Sequence, residues 1–169
     1  MDKREILVVG GDDYGYHDFS MIGKVFSSIL TSPGLHVDVT DDCSCFSSRK
    51  FKEYDVVVCY MNRKELSEEE QQGLLDGITG NSWSSSHRLK GFIGIHTAAC
   101  SFPGSTVYHT MLGARFLTHP EMGDELAMRI KKPDHPVMEG IDDFSLVDEL
   151  YLMEHYPPYE VLLSCDYQG

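Results

Sequence analysis

The stretch LKGFIGIHTAAC, residues 89–100, decides the fold because a short apolar run ends there abruptly at a polar residue. Phe92, Ile93 and Ile95 predict a short buried strand, and the small residues after His96 predict a turn into a helix. A strand that delivers a polar side chain into such a turn is the nucleophile elbow of α/β proteins, whose usual pattern is Gly-x-nucleophile-x-Gly. Here the pattern is GIHTA, so a histidine stands at the nucleophile position.

The histidine changes the chemistry that the elbow predicts. A serine or cysteine would indicate acyl transfer, whereas imidazole binds metals or transfers protons near neutral pH. A purely structural alternative is that His96 caps the helix that follows. The local pattern leaves the metal, proton-transfer and capping roles open.

Composition disfavours several classes of partner. The chain has 169 residues, enough for one α/β domain, and its 14 basic and 27 acidic residues give a net charge of −13. That charge repels phosphate backbones and anionic lipids, so we expect neither a nucleic-acid nor a membrane partner.

The five cysteines form no CxxC pair, which fits reduced thiols. With no signal-peptide pattern and no run of eighteen apolar residues, a soluble cytoplasmic protein is expected.

Three more apolar runs join the elbow strand in a predicted parallel sheet. They cover residues 6–9, 35–39 and 55–60, and the third is apolar enough to be the buried centre. Ser20 is placed to cap the first helix, whose predicted inward face comprises Ile22, Val25, Phe26, Ile29 and Leu30.

The loop GGDDYGYHD, residues 10–18, brings His17 to the carboxyl edge of this sheet, where open α/β sheets bind ligands. Asn62 and Arg63 follow the third strand to the same edge. The loop does not match GxGxxG, and its two aspartates would repel a pyrophosphate, so no nucleotide cofactor is expected. A polar, neutral ligand suits the loop better.

The remaining connections are less regular. Ser67 and Glu70 predict a capping box at the second helix. Residues 41–52 indicate an irregular segment and residues 81–88 a serine-rich surface connection. The irregular segment and an edge strand near the C-terminus would support a homodimer.

The second half of the chain supplies two further candidates. His119 precedes a proline, which favours extended backbone. Glu149 lies within the mostly apolar run 144–153, where a carboxylate needs a partner, and Arg115 or Arg129 would serve in a purely structural role. Further elements are predicted as a helix at 107–112 and strands at 126–131 and 160–163.

Five motifs in this order resemble the ThuA-like proteins of the trehalose-utilisation family. They are VVGGDDYGYHDF at 8–19, GFIGIHTAA at 91–99, MLGARFLTHP at 111–120, DHPVMEGIDDF at 134–144 and DELY at 148–151. The resemblance implies one flavodoxin-like α/β domain over residues 1–169, related to class I glutamine amidotransferases. Members of the family usually continue beyond this length. The resemblance therefore implies that a C-terminal segment is lacking here, because the chain is either a short natural form or a truncated one. Activity would be affected if that segment lines the site.

The resemblance also implies a sugar substrate. A histidine replaces the amidotransferase cysteine, so glutamine amidotransfer is not expected. ThuA-like proteins are linked to the catabolism of trehalose and related disaccharides through 3-keto sugars. The implied activity is that of a keto-sugar isomerase, lyase or hydrolase, and the alternative is a non-catalytic sugar-binding or regulatory module of the same fold.

The residues at the sheet edge and the resemblance together define a hypothetical site. The catalytic candidates are His96, His17 and Glu149. The candidate ligands of a divalent metal, zinc or a similar ion, are His96, His119 and Glu149, since three ligands with one open position suit catalytic zinc. A metal-free histidine site is equally compatible with these residues. The substrate-binding candidates are Asp13, Tyr16, Asn62 and Thr97.

Overall fold

The computed structural model describes residues 3–62, 65–79, 91–121, 123 and 125–166. The chain divides into two compact units, Met1–Leu112 and Gly113–Gly169, which are called unit 1 and unit 2 below. The single domain predicted over 1–169 stays a prediction. The interpretations made for Arg63 and for residues 81–88 lie outside the described residues.

Unit 1 is built on a four-stranded parallel sheet with the strand order β2-β1-β3-β4. Its strands are β1 (Arg4–Asp12), β2 (Leu35–Thr40), β3 (Val56–Asn62) and β4 (Gly91–Gly94), and its α-helices are α1 (Phe19–Ile29), α2 (Glu68–Thr79) and α3 (Thr106–Leu112). All four predicted strands are confirmed, each with shifted ends. The order 2-1-3-4 is that of flavodoxin-like sheets, so the predicted fold class is confirmed.

The core of unit 1 lies on both faces of β1 and β3. Side chains alternate between the faces of a strand, so neighbouring residues enter different clusters. One cluster contains Val9 and Val57 of the sheet, and the other contains Val8 and Val58. These four side chains are at most 4% exposed, which confirms the 55–60 run as the buried centre of the sheet.

The elbow strand is less buried than the sequence predicts. Ile93 is 51% exposed, because β4 lies at the edge of the described sheet and pairs there with β3. The prediction of a fully buried strand over Phe92 and Ile93 was therefore wrong for Ile93.

The first helix begins and packs differently from the prediction. Its N-cap is Asp18, whose carboxylate accepts hydrogen bonds from the backbone N–H groups of Ser20 and Met21. Val25 and Ile29 are 54% and 67% exposed, so they do not belong to the inward face. Each residue turns the helix by about 100°, so a neighbouring set of residues, rotated away from Val25 and Ile29, faces the sheet. That stripe consists of Phe19, Ile22, Phe26 and Leu30.

The second helix confirms the predicted capping box. The backbone N–H and hydroxyl of Ser67 both donate to the carboxylate of Glu70, and the Glu70 N–H donates to the Ser67 hydroxyl. The segment predicted to be irregular instead forms two 3₁₀ helices, Cys43–Ser47 and Arg49–Glu53. Phe46 lies on the first of them and is 2% exposed.

Unit 2 contains two antiparallel sheets. Its strands are β5 (Ala114–Thr118), β6 (Glu125–Ile130), β7 (Phe144–Val147), β8 (Leu152–His155) and β9 (Leu163–Cys165). One sheet pairs β5 with β8, and the other has β6 between β7 and β9. The apolar run 144–153 is therefore two strands separated by DELY, and the strand predicted at 160–163 begins only at Leu163.

Candidate active site

The elbow turn forms where β4 ends. The N–H of Ile95 donates to the carbonyl of Cys59 at 2.9 Å and continues the pairing with β3 for one more residue. His96 then begins a 3₁₀ helix, His96–Cys100, whose N-cap is Ile95 without a side-chain capping bond. His96 is therefore the first residue of this helix and does not occupy its N-cap position.

The backbone of His96 is strained. Its φ angle is +50°, in the left-handed region that favours glycine, and Phe102 at the other end of the turn has a φ of +49°. A non-glycine residue there costs about 1–2 kcal/mol. Such strain persists where the surroundings impose it, and it concentrates at functional sites. The strained backbone therefore supports His96 as a candidate functional residue.

Three buried polar side chains hold the turn in place. The hydroxyl of Tyr108 donates to the Ala98 carbonyl at 2.9 Å. The hydroxyl of Ser101 donates to the Met61 carbonyl at 2.6 Å, and Nε2 of His109 donates to the Ser101 carbonyl at 3.1 Å. Burial raises the pKa of Tyr108 well above its usual value, which keeps the hydroxyl a neutral donor.

Sequence reasoning missed this framework. Ser101, Tyr108 and His109 are each at most 2% exposed. The sequence features that could have indicated it are Ser101, five residues after His96, and the adjacent pair Tyr108 and His109 on the next helix. Neither motif indicates by itself which carbonyl groups the side chains reach.

Two of the predicted site histidines meet at the carboxyl edge of the sheet. The ring centroids of His17 and His96 are 5.1 Å apart, with the ring planes at 78°. The ring centroid of Tyr60, near the end of β3, lies 5.8 Å from that of His17 and 5.9 Å from that of His96. Both imidazoles are half-buried. A pair of imidazoles at this distance is suited to act on two neighbouring atoms of one ligand.

Asp12, the last residue of β1, holds the loop that carries His17. Its Oδ1 accepts from the Tyr14 N–H at 2.7 Å and from the amide of Asn62 at 3.2 Å, and its Oδ2 accepts from the His17 N–H at 2.7 Å. Desolvation, the largest single influence, raises the pKa of Asp12, but these hydrogen bonds together lower it below its usual value. Asn62, predicted to contact substrate, therefore supports the loop.

Asp12→Asn is expected to loosen the loop. Both carboxylate oxygens accept backbone N–H groups, and an amide would turn an N–H toward one of these donors, at a cost of about 1 kcal/mol. Because the folded pKa of Asp12 is lowered, its contribution is present above the unfolded pKa of about 4 and is lost as the pH falls through the folded value.

Hydrogen exchange at the Tyr14 and His17 amides measures this effect. We expect about fivefold lower protection in Asp12→Asn at pH 7 and the same loss in the wild type on acidification. Asp13→Asn is the matched control, since it makes the same chemical change at an exposed neighbour. Equal protection in the wild type and Asp12→Asn would contradict this role.

The other substrate-binding candidates differ in how far they are exposed to solvent. Asp13 and Tyr16 are exposed in the loop that precedes His17, and Tyr16 is 77% exposed. Thr97 is only 2% exposed, and its hydroxyl oxygen has no hydrogen-bond partner in the described part of the chain. Their contacts with a substrate stay predictions.

The remaining candidates lie together in unit 2. Nδ1 of His119 donates to the Pro120 carbonyl at 2.8 Å, and its Nε2 lies 4.0 Å from Oε1 of Glu149. The imidazole of His119 is stacked with the ring of Tyr151, with the two centroids 6.4 Å apart. The ring centroid of Tyr151 in turn lies 4.5 Å from that of Phe116. The catalytic role of Glu149 stays a prediction.

The two arginines considered as structural partners of Glu149 bind elsewhere. Arg115 pairs with Glu154 at 2.7 Å, and Arg129 pairs with Asp143 at 3.2 Å. The sequence therefore indicated that Glu149 needs a partner, and the structure places His119 beside it.

The metal hypothesis named His96 of unit 1 together with His119 and Glu149 of unit 2. Within the described residues, no group of three or more histidine, cysteine, aspartate or glutamate side chains is arranged to hold a metal ion. Nε2 of His119 and Oε1 of Glu149, at 4.0 Å, are wider apart than the roughly 3.4 Å that tetrahedral zinc with ligand distances near 2.1 Å requires. Metal binding stays a prediction.

Sheet order and elbow define the class of this protein. It is a flavodoxin-like α/β protein whose fourth parallel strand leads into a turn that begins at a histidine. The chain belongs to the ThuA family, described as trehalose utilisation, whose model matches residues 5–169.

Solved structures of other family members share the fold. A ThuA-like protein from Bacteroides uniformis superposes with a TM-score of 0.76 at 18% identity, covering 98% of this chain and 69% of its own. A ThuA-like protein from Parabacteroides merdae superposes with a TM-score of 0.78 at 18% identity, covering 97% and 68%. Comparison with curated proteins gave no match. Across the described residues, no helix has the length and apolar character needed to cross a membrane.

Proposed function

We propose that this protein is an enzyme of sugar catabolism in which His96 and His17 transfer protons at a carbon next to a carbonyl group. The observation that carries the proposal is the pair of half-buried imidazoles, 5.1 Å apart at the carboxyl edge of the parallel sheet. The family description, trehalose utilisation, supports a sugar as the substrate.

The proposed substrate is a disaccharide oxidised to a ketone at C3. The hydrogen on C2 is acidic because it is adjacent to that carbonyl group. His96 accepts this proton, and the electron pair of the C–H bond forms an enediolate whose oxygen is stabilised by the imidazole of His17.

Two outcomes of the enediolate are chemically balanced. In elimination, the enediolate electrons form a C1–C2 double bond, the C1–oxygen bond breaks, and the leaving sugar takes the proton from the His96 imidazolium. In isomerisation, that proton returns to C3 while the proton of the C2 hydroxyl moves to the C3 oxygen, which moves the ketone to C2. Neither route consumes an oxidant or a reductant.

The test is an exchange experiment with 3-keto-trehalose in deuterium oxide, followed by NMR. We expect deuterium at C2 of the recovered keto sugar, where proton abstraction has reversed, at a rate proportional to enzyme concentration, together with release of glucose or a shifted ketone. Binding of the keto sugar without exchange or product would contradict the enzyme and favour the non-catalytic sugar-binding module. Repeating the reaction after chelation and dialysis separates a metal-free imidazole site from a hydrolase with metal-activated water.

A further inference from the structure

The loop that carries His17 also presents two aromatic rings to solvent. Tyr14 and Tyr16 are 57% and 77% exposed. Their ring centroids are 6.4 Å apart and their planes differ by only 4°, so the two rings are parallel. Gly15 between them has a φ of +75°, a conformation that side-chain-bearing residues rarely adopt, and this turn places the two rings in parallel.

The backbone that carries these rings is held by Asp12. The N–H of Tyr14 and the N–H of His17, on either side of Tyr16, both donate to the carboxylate of Asp12. A tyrosine ring has only two side-chain torsions, so little conformational entropy remains to be lost on binding. Two parallel aromatic rings on the loop that carries His17 are suited to contact the face of a ring-shaped ligand.

The surrounding charge selects a neutral ligand. Asp13 is exposed beside Tyr14, and Asp18 follows His17, so a phosphate group would be repelled from this loop. Carboxylates accept hydrogen bonds from hydroxyl groups. The faces of aromatic rings carry partial negative charge and attract the weakly positive C–H groups on the apolar face of a saturated ring. A pyranose ring offers both an apolar C–H face and a rim of hydroxyl groups.

We propose that Tyr14 and Tyr16 form a platform on which one pyranose ring of a disaccharide stacks, so that its glycosidic bond or second ring lies at the His17–His96 pair. This inference rests on the proposed function and extends it by assigning the residues that recognise the sugar. Because Tyr16 directly precedes His17, the loop that recognises the sugar also carries one imidazole of the pair.

The test is titration calorimetry with trehalose and 3-keto-trehalose on the full chain. Tyr14→Ala and Tyr16→Ala are each expected to weaken binding about three- to tenfold, since a ring contact is lost, while Tyr16→Phe keeps the ring and retains wild-type affinity. Tyr159→Ala is the matched control, because Tyr159 is 45% exposed in unit 2. Circular dichroism verifies that each variant is folded.

The outcomes separate this proposal from the proposed function. Unchanged affinity in both alanine variants, an equal loss in Tyr159→Ala, or no saturable binding of either sugar to the wild type would overturn the platform. Tighter binding of adenosine monophosphate than of trehalose would contradict the inference that this loop binds a neutral ligand. Tyrosine-dependent sugar binding in a protein that shows no C2 exchange would support the platform and remove the proton-transfer mechanism.

Discussion

His96→Gln is expected to lower the rate of C2 exchange on a 3-keto disaccharide by about 10²–10⁴-fold, the range that a general acid–base group contributes. Glutamine keeps a polar side chain of similar reach but cannot accept a proton near neutral pH. Affinity for the sugar should change little, because the proposed binding surface is formed by Tyr14 and Tyr16. The measurement is the NMR exchange rate at saturating sugar for the wild type and the variant.

His36→Gln is the matched control for this prediction. His36 lies in β2 with its side chain half-exposed and Nδ1 2.6 Å from a carboxylate oxygen of Glu5, so the same substitution alters a surface ion pair. We expect wild-type exchange in this variant. An equal loss of rate in both variants would show that the imidazole of His96 has no specific role.

The strain at His96 permits a second measurement on the same residue. His96→Gly should abolish exchange while raising the free energy of unfolding by about 1 kcal/mol, because glycine adopts a φ of +50° without steric cost. Urea denaturation measures the change. A lower stability would instead indicate that the imidazole contributes mainly to the fold.

Gly73→Ala is expected to destabilise the protein by about 1–3 kcal/mol, the usual cost of overpacking. A Cβ atom at Gly73 of α2 would lie 2.3 Å from the backbone carbonyl oxygen of Phe46. Backbone cannot rotate away as a side chain can, so the helix must move off the 3₁₀ segment Cys43–Ser47. Alanine favours a helix over glycine by roughly 1 kcal/mol, and the expected loss is what remains after that gain, because a clash with backbone lies at the upper end of overpacking costs.

Thermal unfolding measures this second effect. A loss of about 1–3 kcal/mol corresponds to a fall in Tm of several degrees for a chain of this size. Gly104→Ala is the control, since a Cβ atom there meets nothing within 4 Å. A Tm for Gly73→Ala at or above the wild-type value would contradict the close packing of α2.

Much of the fold was predictable from local patterns. The apolar runs gave all four strands of the parallel sheet, because strands buried on both faces need nearly continuous apolar sequence. The capping box at Ser67 was equally clear, since its partners are three residues apart. The exposure of Val25 and Ile29 on α1 was not predictable, because helical periodicity does not fix which of two adjacent stripes the sheet covers.

The sequence by itself determined that a histidine stands at the elbow and that another follows the first strand. Only the tertiary structure decided that His17 and His96 lie 5.1 Å apart, that Asp12 holds the loop of His17, and that Tyr108 and His109 hold the turn of His96. The physical reason is range. Strand, cap and turn signals act between residues a few positions apart, whereas these contacts join segments brought together only when the sheet assembles.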